Sequence, residues 1–193
     1  YGRTRKLFEY TNSLTRGLDA EVSINELLKA KTNTPIELNI GASYVSKYEE
    51  YVGPVDNFPT QVNAFSGRFD LTAGNFTIDG EYVEKTADPH QLNKESFDKG
   101  KAFQVNTGYT QNNFGISLTL RTLSNMNFKA EREGEFMSIA PLNYIPALTK
   151  QHDYLTSNIY VYAAQVMGET GLQSDLYYTF KPGSTIGGKY GTK

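Results

Sequence analysis

The chain has 193 residues and a mass of 21.6 kDa, which is enough for one domain or two very small ones. Lysine and arginine number 19 against 21 aspartates and glutamates, and this near-neutral balance argues against a nucleic-acid binder. Cysteine is absent, which excludes disulfide frameworks, thiolate zinc sites and cysteine nucleophiles. No stretch approaches the roughly 18 apolar residues of a transmembrane helix.

Hydrophobic side chains alternate with polar ones along most of the chain, which is the period of a β-strand with two unlike faces. Residues 18–28 and 36–47 are two such stretches, and a weaker one surrounds Lys6–Tyr10. Their apolar members are Leu18, Ala20, Val22, Ile24 and Leu28, followed by Ile36, Leu38, Ile40, Ala42 and Tyr44. The segment Asn25–Lys31 has room for one helical turn at most, so the pattern predicts an all-β chain.

Three hairpins can be aligned by matching like faces of neighbouring strands. The predicted turns lie at residues 74–75, 110–113 and 168–171, and residues 159–167 form the first strand of the third hairpin. The pairs expected to close these turns are Ala73 with Phe76, Tyr109 with Phe114, and Met167 with Leu172.

The predicted connections alternate in length along the chain. Short turns at residues 29–34, 74–75, 110–113 and 168–171 alternate with long segments at residues 48–61, 87–100 and 125–157. Consecutive antiparallel strands place alternate connections at opposite ends of a sheet. One end therefore carries the short turns and the other the long loops, as in outer-membrane barrels. Strands of roughly 10–13 residues reach the roughly 9–11 needed to cross a bilayer, and aromatic residues lie near strand ends. We therefore predict one domain over residues 1–193, an antiparallel up-and-down transmembrane β-barrel of about nine or ten strands.

Several runs of residues resemble outer-membrane barrel proteins of Bacteroidota. These are Gly67–Leu71 with Gly74–Phe76, Gly108–Thr110 with Phe114–Ile116, and Leu176–Gly183. The likeness covers most of residues 18–190 and is to an uncharacterised family of large barrels. It implies the barrel fold and a bacterial outer-membrane location, and it transfers no active residues. Because a new alternation begins at Ile186 and the sequence ends at Lys193, we expect a portion of a larger barrel.

Two functions from different classes fit this pattern. The first is a porin-like passive pore, or a non-enzymatic structural component of an envelope complex. Its partners would be outer-membrane lipid and, in a complex, other envelope proteins, with no nucleic acid and no cofactor. The second is a soluble all-β module, lipocalin-like or a sandwich, that binds a hydrophobic ligand or partner. In a soluble barrel the apolar face points inward, whereas a membrane barrel turns it outward.

Charged residues on the polar faces of the strands are the candidates for lining a lumen. They are Arg68, Asp70, Asp79, Glu81, Lys101, Arg121 and Asp175. Their mixed signs predict no strong ion preference. We expect Arg68 and Glu81 to form a cross-strand ion pair, and we favour this interpretation over acid–base catalysis by the neighbouring carboxylates.

The longest predicted loop, residues 125–157, contains an apolar stretch with two prolines that must be buried somewhere. We expect it to fold into the lumen as a constriction, to dock on a partner, or to cover the barrel mouth. The candidates for these contacts are Phe136, Met137, Ile139, Leu142, Tyr144 and Ile145.

The sequence offers little that is typical of catalysis. The two histidines, His90 and His152, lie in predicted loops without a recognised metal-ligand spacing, and we expect them to be solvated. There is no nucleophile elbow, no HExxH motif and no phosphate loop. We therefore assign no catalytic and no metal-binding residues, and predict that the protein is not an enzyme.

Overall fold

The computed structural model describes residues 13–27, 36–50, 57–132, 141–148 and 164–192. They form one antiparallel sheet in which each strand pairs with the next along the chain. The strands are β1 (Ser13–Ser23), β2 (Ile36–Glu49), β3 (Gln61–Ala73), β4 (Phe76–Lys85), β5 (Gly100–Gln111), β6 (Phe114–Ser124) and β7 (Gly168–Tyr178). A four-residue helix, α1 (Ile24–Leu27), follows β1, and a 3-10 turn (Gln91–Asn93) lies between β4 and β5. The predicted all-β, antiparallel, up-and-down order is confirmed.

The two faces of the sheet differ along every strand. One face, here called the apolar face, carries aliphatic and aromatic side chains in rows that cross the strands, such as Val22, Ile40, Phe69, Gly80, Val105, Leu120 and Leu172. Within this row, Val22, Ile40, Phe69 and Leu120 are 38–47% exposed, and Leu172 reaches 66%. The opposite polar face carries the charged and amide side chains, and its residues are the less exposed ones along β6 and β7. Along these two strands the burial is thus the reverse of that in a water-soluble sheet.

Apolar burial is confined to one end of the polar face. The buried apolar side chains among the described residues are Phe58, Val62, Leu123, Met126, Phe128 and Ala130. Val62 and Leu123 belong to the sheet, and the others come from the long connections at this end, called here the loop end. The chain after β6 therefore folds back over the polar face instead of leaving the sheet.

The first predicted hairpin is confirmed residue by residue. Ala73 pairs with Phe76 and Leu71 with Ile78 across the turn at residues 74–75. With a two-residue turn at this position, one register alone keeps the apolar side chains on one face of the hairpin and the polar side chains on the other.

The second hairpin exists, but its predicted register is wrong by two residues. Phe114 pairs with Gln111 and not with Tyr109, which lies opposite Ile116. Asn112 has a positive φ of 49°, a conformation that asparagine tolerates, so the chain turns within Asn112 and Asn113 alone. A shift by two keeps every side chain on its face, so the face pattern did not detect it.

The third predicted hairpin is wrong. Residues 168–171 are not a turn; they begin β7, which runs to Tyr178 and pairs along its whole length with β6. Leu172 therefore lies opposite Leu120 instead of Met167. Residues 166–167 form the turn that precedes β7, and the rest of the predicted strand, residues 159–163, lies outside the described residues.

The connections follow the predicted alternation from β2 onward. Long connections at residues 50–60, 86–99 and 125–167 share the loop end, and the turns at residues 74–75 and 112–113 lie at the opposite end. The first strand ends earlier than expected, at Ser23, and α1 follows it; the short turn expected at 29–34 lies outside the described residues. The predicted strand at Lys6–Tyr10 lies outside the described residues.

The described sheet has seven strands against the nine or ten expected, and it is not closed into a barrel. Among the described residues, β1 and β7 lie at its two edges. No helix in this part of the chain is long and apolar enough to cross a membrane.

Candidate functional site

A cavity of about 660 Å³ lies on the polar face. Residues of β1 through β6 bound it on one side, and Met126, Phe128 and residues 142–146 of the long connection after β6 bound it on the other. One cavity that touches six neighbouring strands indicates that the sheet curves around it. The sheet wall carries the charged side chains together with apolar ones such as Val45, Val83 and Leu123, whereas the covering wall is uncharged and mainly apolar.

Arg68 reaches across β2 to the carboxylates of β1. Its Nη1 and Nη2 donate to the two carboxylate oxygens of Asp19 at 2.7 and 2.9 Å, and its Nε and Nη2 donate to Glu21 at 3.3 and 3.2 Å. Gly41 lies between them, and a Cβ at that position would be 2.6 Å from Nε of Arg68. The missing side chain at position 41 therefore gives the guanidinium its path. The expected pairing of Arg68 with Glu81 is wrong at the level of contacts, although the two are register partners.

Arg121 fixes residues 141–148 to the sheet. Its side chain is 2% exposed, donates to the carboxylate of Glu169 at 2.6 Å, and also donates to the backbone carbonyl of Pro146. Beside it, Leu148 packs so closely on Gly171 that a Cβ there would lie 2.8 Å from Cδ2 of the leucine. Gly171 thus permits a close approach of two chain segments and does not mark a turn.

The remaining carboxylates of the lining come from β3 and β4. Asp70 lies directly opposite Asp79 in the register, and Glu81 is two residues further along β4. Asp79 accepts a hydrogen bond of 2.6 Å from the amide of Asn106. Within the described residues, no lysine or arginine forms an ion pair with any of these three carboxylates.

Most of the predicted lumen candidates are brought together. Arg68, Asp70, Asp79, Glu81 and Arg121 all line the cavity. Asp175 also lies on the polar face, opposite Ser117, but outside the cavity lining.

The prediction that Lys101 lines the lumen with the other candidates is not met in the structure. Lys101 lies on the apolar face, two residues before Phe103 and opposite Glu84. Glu84 also forms a 2.6 Å ion pair with Lys99 in the loop before β5, which raises the pKa of Lys99 above its ordinary value. Lys101 therefore belongs to an exposed charged patch near the loop end of the apolar face.

Part of the long loop, residues 141–148, lies against the polar face and is called here the covering segment. Leu142, Tyr144 and Ile145 line the cavity, and Tyr144 remains 88% exposed. The segment is held by backbone and amide hydrogen bonds, from the Leu142 amide to the Phe128 carbonyl at 2.9 Å and from the Asn143 side chain to the Met126 carbonyl at 2.7 Å. The other candidates, Phe136, Met137 and Ile139, lie outside the described residues.

A buried group of charges lies beyond the cavity at the loop end, and sequence reasoning missed it. The carboxylate of Asp88 accepts hydrogen bonds from Nε of Arg132 at 2.7 Å and from Nζ of Lys47 at 3.2 Å. Nζ of Lys85 lies 3.8 Å from the same carboxylate. Glu49 lies 3.3 Å from Nζ of Lys47. We call these five residues the loop-end cluster; both lysines are 0% exposed. Its members come from β2, β4 and two loops, so no local pattern in the sequence could have grouped them.

Aromatic rings complete the loop-end cluster. The Phe128 ring lies 5.9 Å from Nζ of Lys47 and 5.8 Å from Nζ of Lys85, which is the range of cation–π contacts. Phe128 also lines the cavity, so its ring separates the cluster from the cavity.

The expectation that His90 is solvated is wrong. Its side chain is buried, with Nδ1 2.8 Å from the carbonyl of Asp88 and Nε2 hydrogen-bonded to the amide of Asn127. It serves to join the two loops at residues 86–99 and 125–132. His152 lies outside the described residues, and among those described no group of three acidic or histidine side chains is placed to hold a metal ion.

With the cavity and its cover described, the chain can be compared with known families. A family described as "Family of unknown function (DUF6029)" matches residues 1–193. The chain belongs to this family. Comparisons with curated proteins and with solved structures give no match.

Proposed function

We propose that this member of the DUF6029 family forms the wall of an outer-membrane β-barrel whose polar face lines a passive pore. The observation that carries the proposal is the orientation of the two faces. The apolar face is exposed across seven strands, while the polar face bounds the cavity and receives the covering segment. A lipid-facing sheet has this arrangement, since apolar side chains in lipid require no protein cover.

The distribution of aromatic residues supports the same orientation. On the apolar face, Tyr82 and Phe103 are register partners on the loop-end side, and Phe76 and Tyr109 are partners near the turns. On β4 and β5 no aromatic side chain of this face lies between the two pairs, which are six positions apart, or roughly 20 Å at 3.3 Å per residue; Phe69 of β3 lies between them, opposite Gly80. Aromatic pairs at this separation suit the two interfaces of a bilayer.

Strand length is also compatible with a membrane span. The described strands have 10 to 14 residues, and about 9–11 suffice to cross a bilayer at the usual tilt. A soluble module that encloses a hydrophobic ligand would need a cover on its apolar face. The described part of the long connection covers the polar face instead.

The orientation of the faces can be tested with single nitroxide labels, because the sequence contains no cysteine. Leu118→Cys on the apolar face and its neighbour Thr119→Cys on the polar face form a matched pair. In vesicles, we expect the label at position 118 to collide with oxygen and not with an aqueous nickel complex, and the label at position 119 to be reached by the nickel complex. Low collision with both reagents at position 118 would indicate a protein core and contradict the proposal.

A second test uses the native protein extracted from cell envelopes. Barrels that remain folded in detergent migrate differently on a denaturing gel before and after boiling, so we expect a heat-dependent shift in the detergent-extracted fraction. Recovery in the aqueous fraction without a shift would favour the soluble module. Conductance in a planar bilayer then distinguishes a pore from a purely structural wall.

A further inference from the structure

We infer that the cavity favours cations over anions, and that Asp70, Asp79 and Glu81 set this preference. The inference rests on the proposed function as a pore. It departs from the expectation that the mixed signs of the predicted lumen residues give no strong ion preference.

Both arginines of the lining are already neutralised. Arg68 is engaged by two carboxylates, Asp19 and Glu21, and Arg121 by Glu169. An arginine held in this way by hydrogen bonds presents little net positive charge to a passing ion.

The three carboxylates of β3 and β4 have no such compensation. Asp70 and Asp79 are opposite each other in the register, with Cα atoms about 4.5–5.5 Å apart by antiparallel geometry. Like charges in this position repel each other, and a cation between them relieves the repulsion. The hydrogen bond from Asn106 to Asp79 supplies a dipole but no charge.

The opposite wall of the cavity strengthens the field of these carboxylates. The residues that the connection after β6 contributes to the lining are Met126, Phe128, Leu142, Asn143, Tyr144, Ile145 and Pro146. None of them is charged, and most are apolar. A cleft with charge of one sign and a wall of low dielectric constant concentrates the field and raises the local concentration of counter-ions.

The remaining cations of the polar face do not alter this balance. Lys47 and Lys85 are held by Asp88 behind the Phe128 ring and do not line the cavity. Among the described residues of the polar face, carboxylates outnumber basic side chains, so the wider surroundings of the cavity have the same negative sign.

The test is the permeability ratio of K⁺ to Cl⁻, taken from the reversal potential of the full chain in a planar bilayer under a KCl gradient. We expect a ratio of several-fold in favour of K⁺ at low salt that falls as salt screens the carboxylates. Asp79→Asn keeps an acceptor for Asn106 and should lower the ratio at least twofold towards 1. The matched control is Glu26→Gln, which removes a carboxylate from exposed helix α1 and should leave the ratio unchanged.

The outcomes separate the inference from the function on which it rests. Channels with a ratio of 1 or below, or with equal ratios in Asp79→Asn and the wild type, would overturn the cation preference and leave the pore intact. Protein that inserts into the bilayer without conducting would overturn both.

Discussion

Two groups of charged side chains lie on the polar face, and they differ in their access to water. At the loop end, Lys47, Lys85, Asp88 and Arg132 are almost fully buried beneath two loops. In the middle of the sheet, Arg68 and its partner Asp19 remain in contact with solvent, with side-chain exposures of 27% and 61%. The same residue types therefore have two roles: the loop-end cluster fastens the loops to the sheet, and the central residues give the cavity its charge.

The difference follows from the residues around each group. At the loop end Val62 and Leu123 of the sheet are buried, as are Met126 and Phe128 of the connection after β6, so the loops exclude water from the charges there. In the middle of the sheet the neighbours are serine, glutamine and asparagine, which give a covering segment little apolar surface to bury. Burial makes each ionic contact indispensable, whereas exposure makes it weak and adjustable.

The largest effect is expected from Asp88→Ala. This change leaves three buried cations without their shared carboxylate, and we expect the free energy of unfolding to fall by about 3–5 kcal/mol. Urea titration of the detergent-solubilised protein measures it. Asp19→Ala, which removes a carboxylate from the exposed group, is the control and should produce a much smaller change. If the free energy of unfolding falls equally in the two variants, burial does not distinguish the loop-end cluster from the exposed central group.

An intermediate effect is expected from Glu169→Gln. The Arg121–Glu169 pair joins β6 to β7 and is nearly buried, with side chains 2% and 8% exposed. Loss of this charge-assisted hydrogen bond should lower the free energy of unfolding by about 1.5–3 kcal/mol. Because Arg121 also holds the carbonyl of Pro146, residues 141–148 should become more susceptible to limited proteolysis. Unchanged cleavage of that segment would show that Arg121 does not fasten it.

The sequence predicts this fold well where a local pattern of residues determines the turn and the register, and poorly where it does not. The turn at residues 74–75 leaves one acceptable register, so β3 and β4 could be aligned from the sequence. The pairing of β5 with β6 was missed by two residues, since a shift of two preserves both faces and only the conformation of Asn112 decides it. Gly168 and Gly171 were interpreted as turn residues, whereas Gly171 accommodates Leu148.

The candidate site was predictable to the extent that it depends on strand alternation. Arg68, Asp70, Asp79, Glu81 and Arg121 share a face for this reason, and they do line one cavity. The ionic partners of Arg68 were not predictable, because Asp19 and Glu21 lie on β1, which is not a neighbour of β3. The partner of Arg121 was not predictable either, because the sequence pattern places Glu169 in a turn and not in the strand next to β6. The loop-end cluster was out of reach for a similar reason: Asp88 is separated from Lys47 by 41 residues and from Arg132 by 44.

The smallest effect is expected from adding a methyl group beneath Arg68. In Gly41→Ala the new Cβ would lie 2.6 Å from Nε of Arg68, so the guanidinium must shift, at a cost of about 1 kcal/mol for local overpacking. Gly67→Ala is the matched control, because a Cβ there would meet no atom within 4 Å. Alanine at an unstrained site reduces the entropy of the unfolded chain, so the control should be neutral or more stable by up to about 1 kcal/mol. The two glycines lie on neighbouring strands but on opposite faces, and urea titration should therefore give changes of opposite sign. If Gly41→Ala is stabilising instead, the guanidinium of Arg68 does not need the space that Gly41 leaves free. Its ion pairs with β1 can then rearrange at little cost, unlike the buried ion pairs of the loop-end cluster.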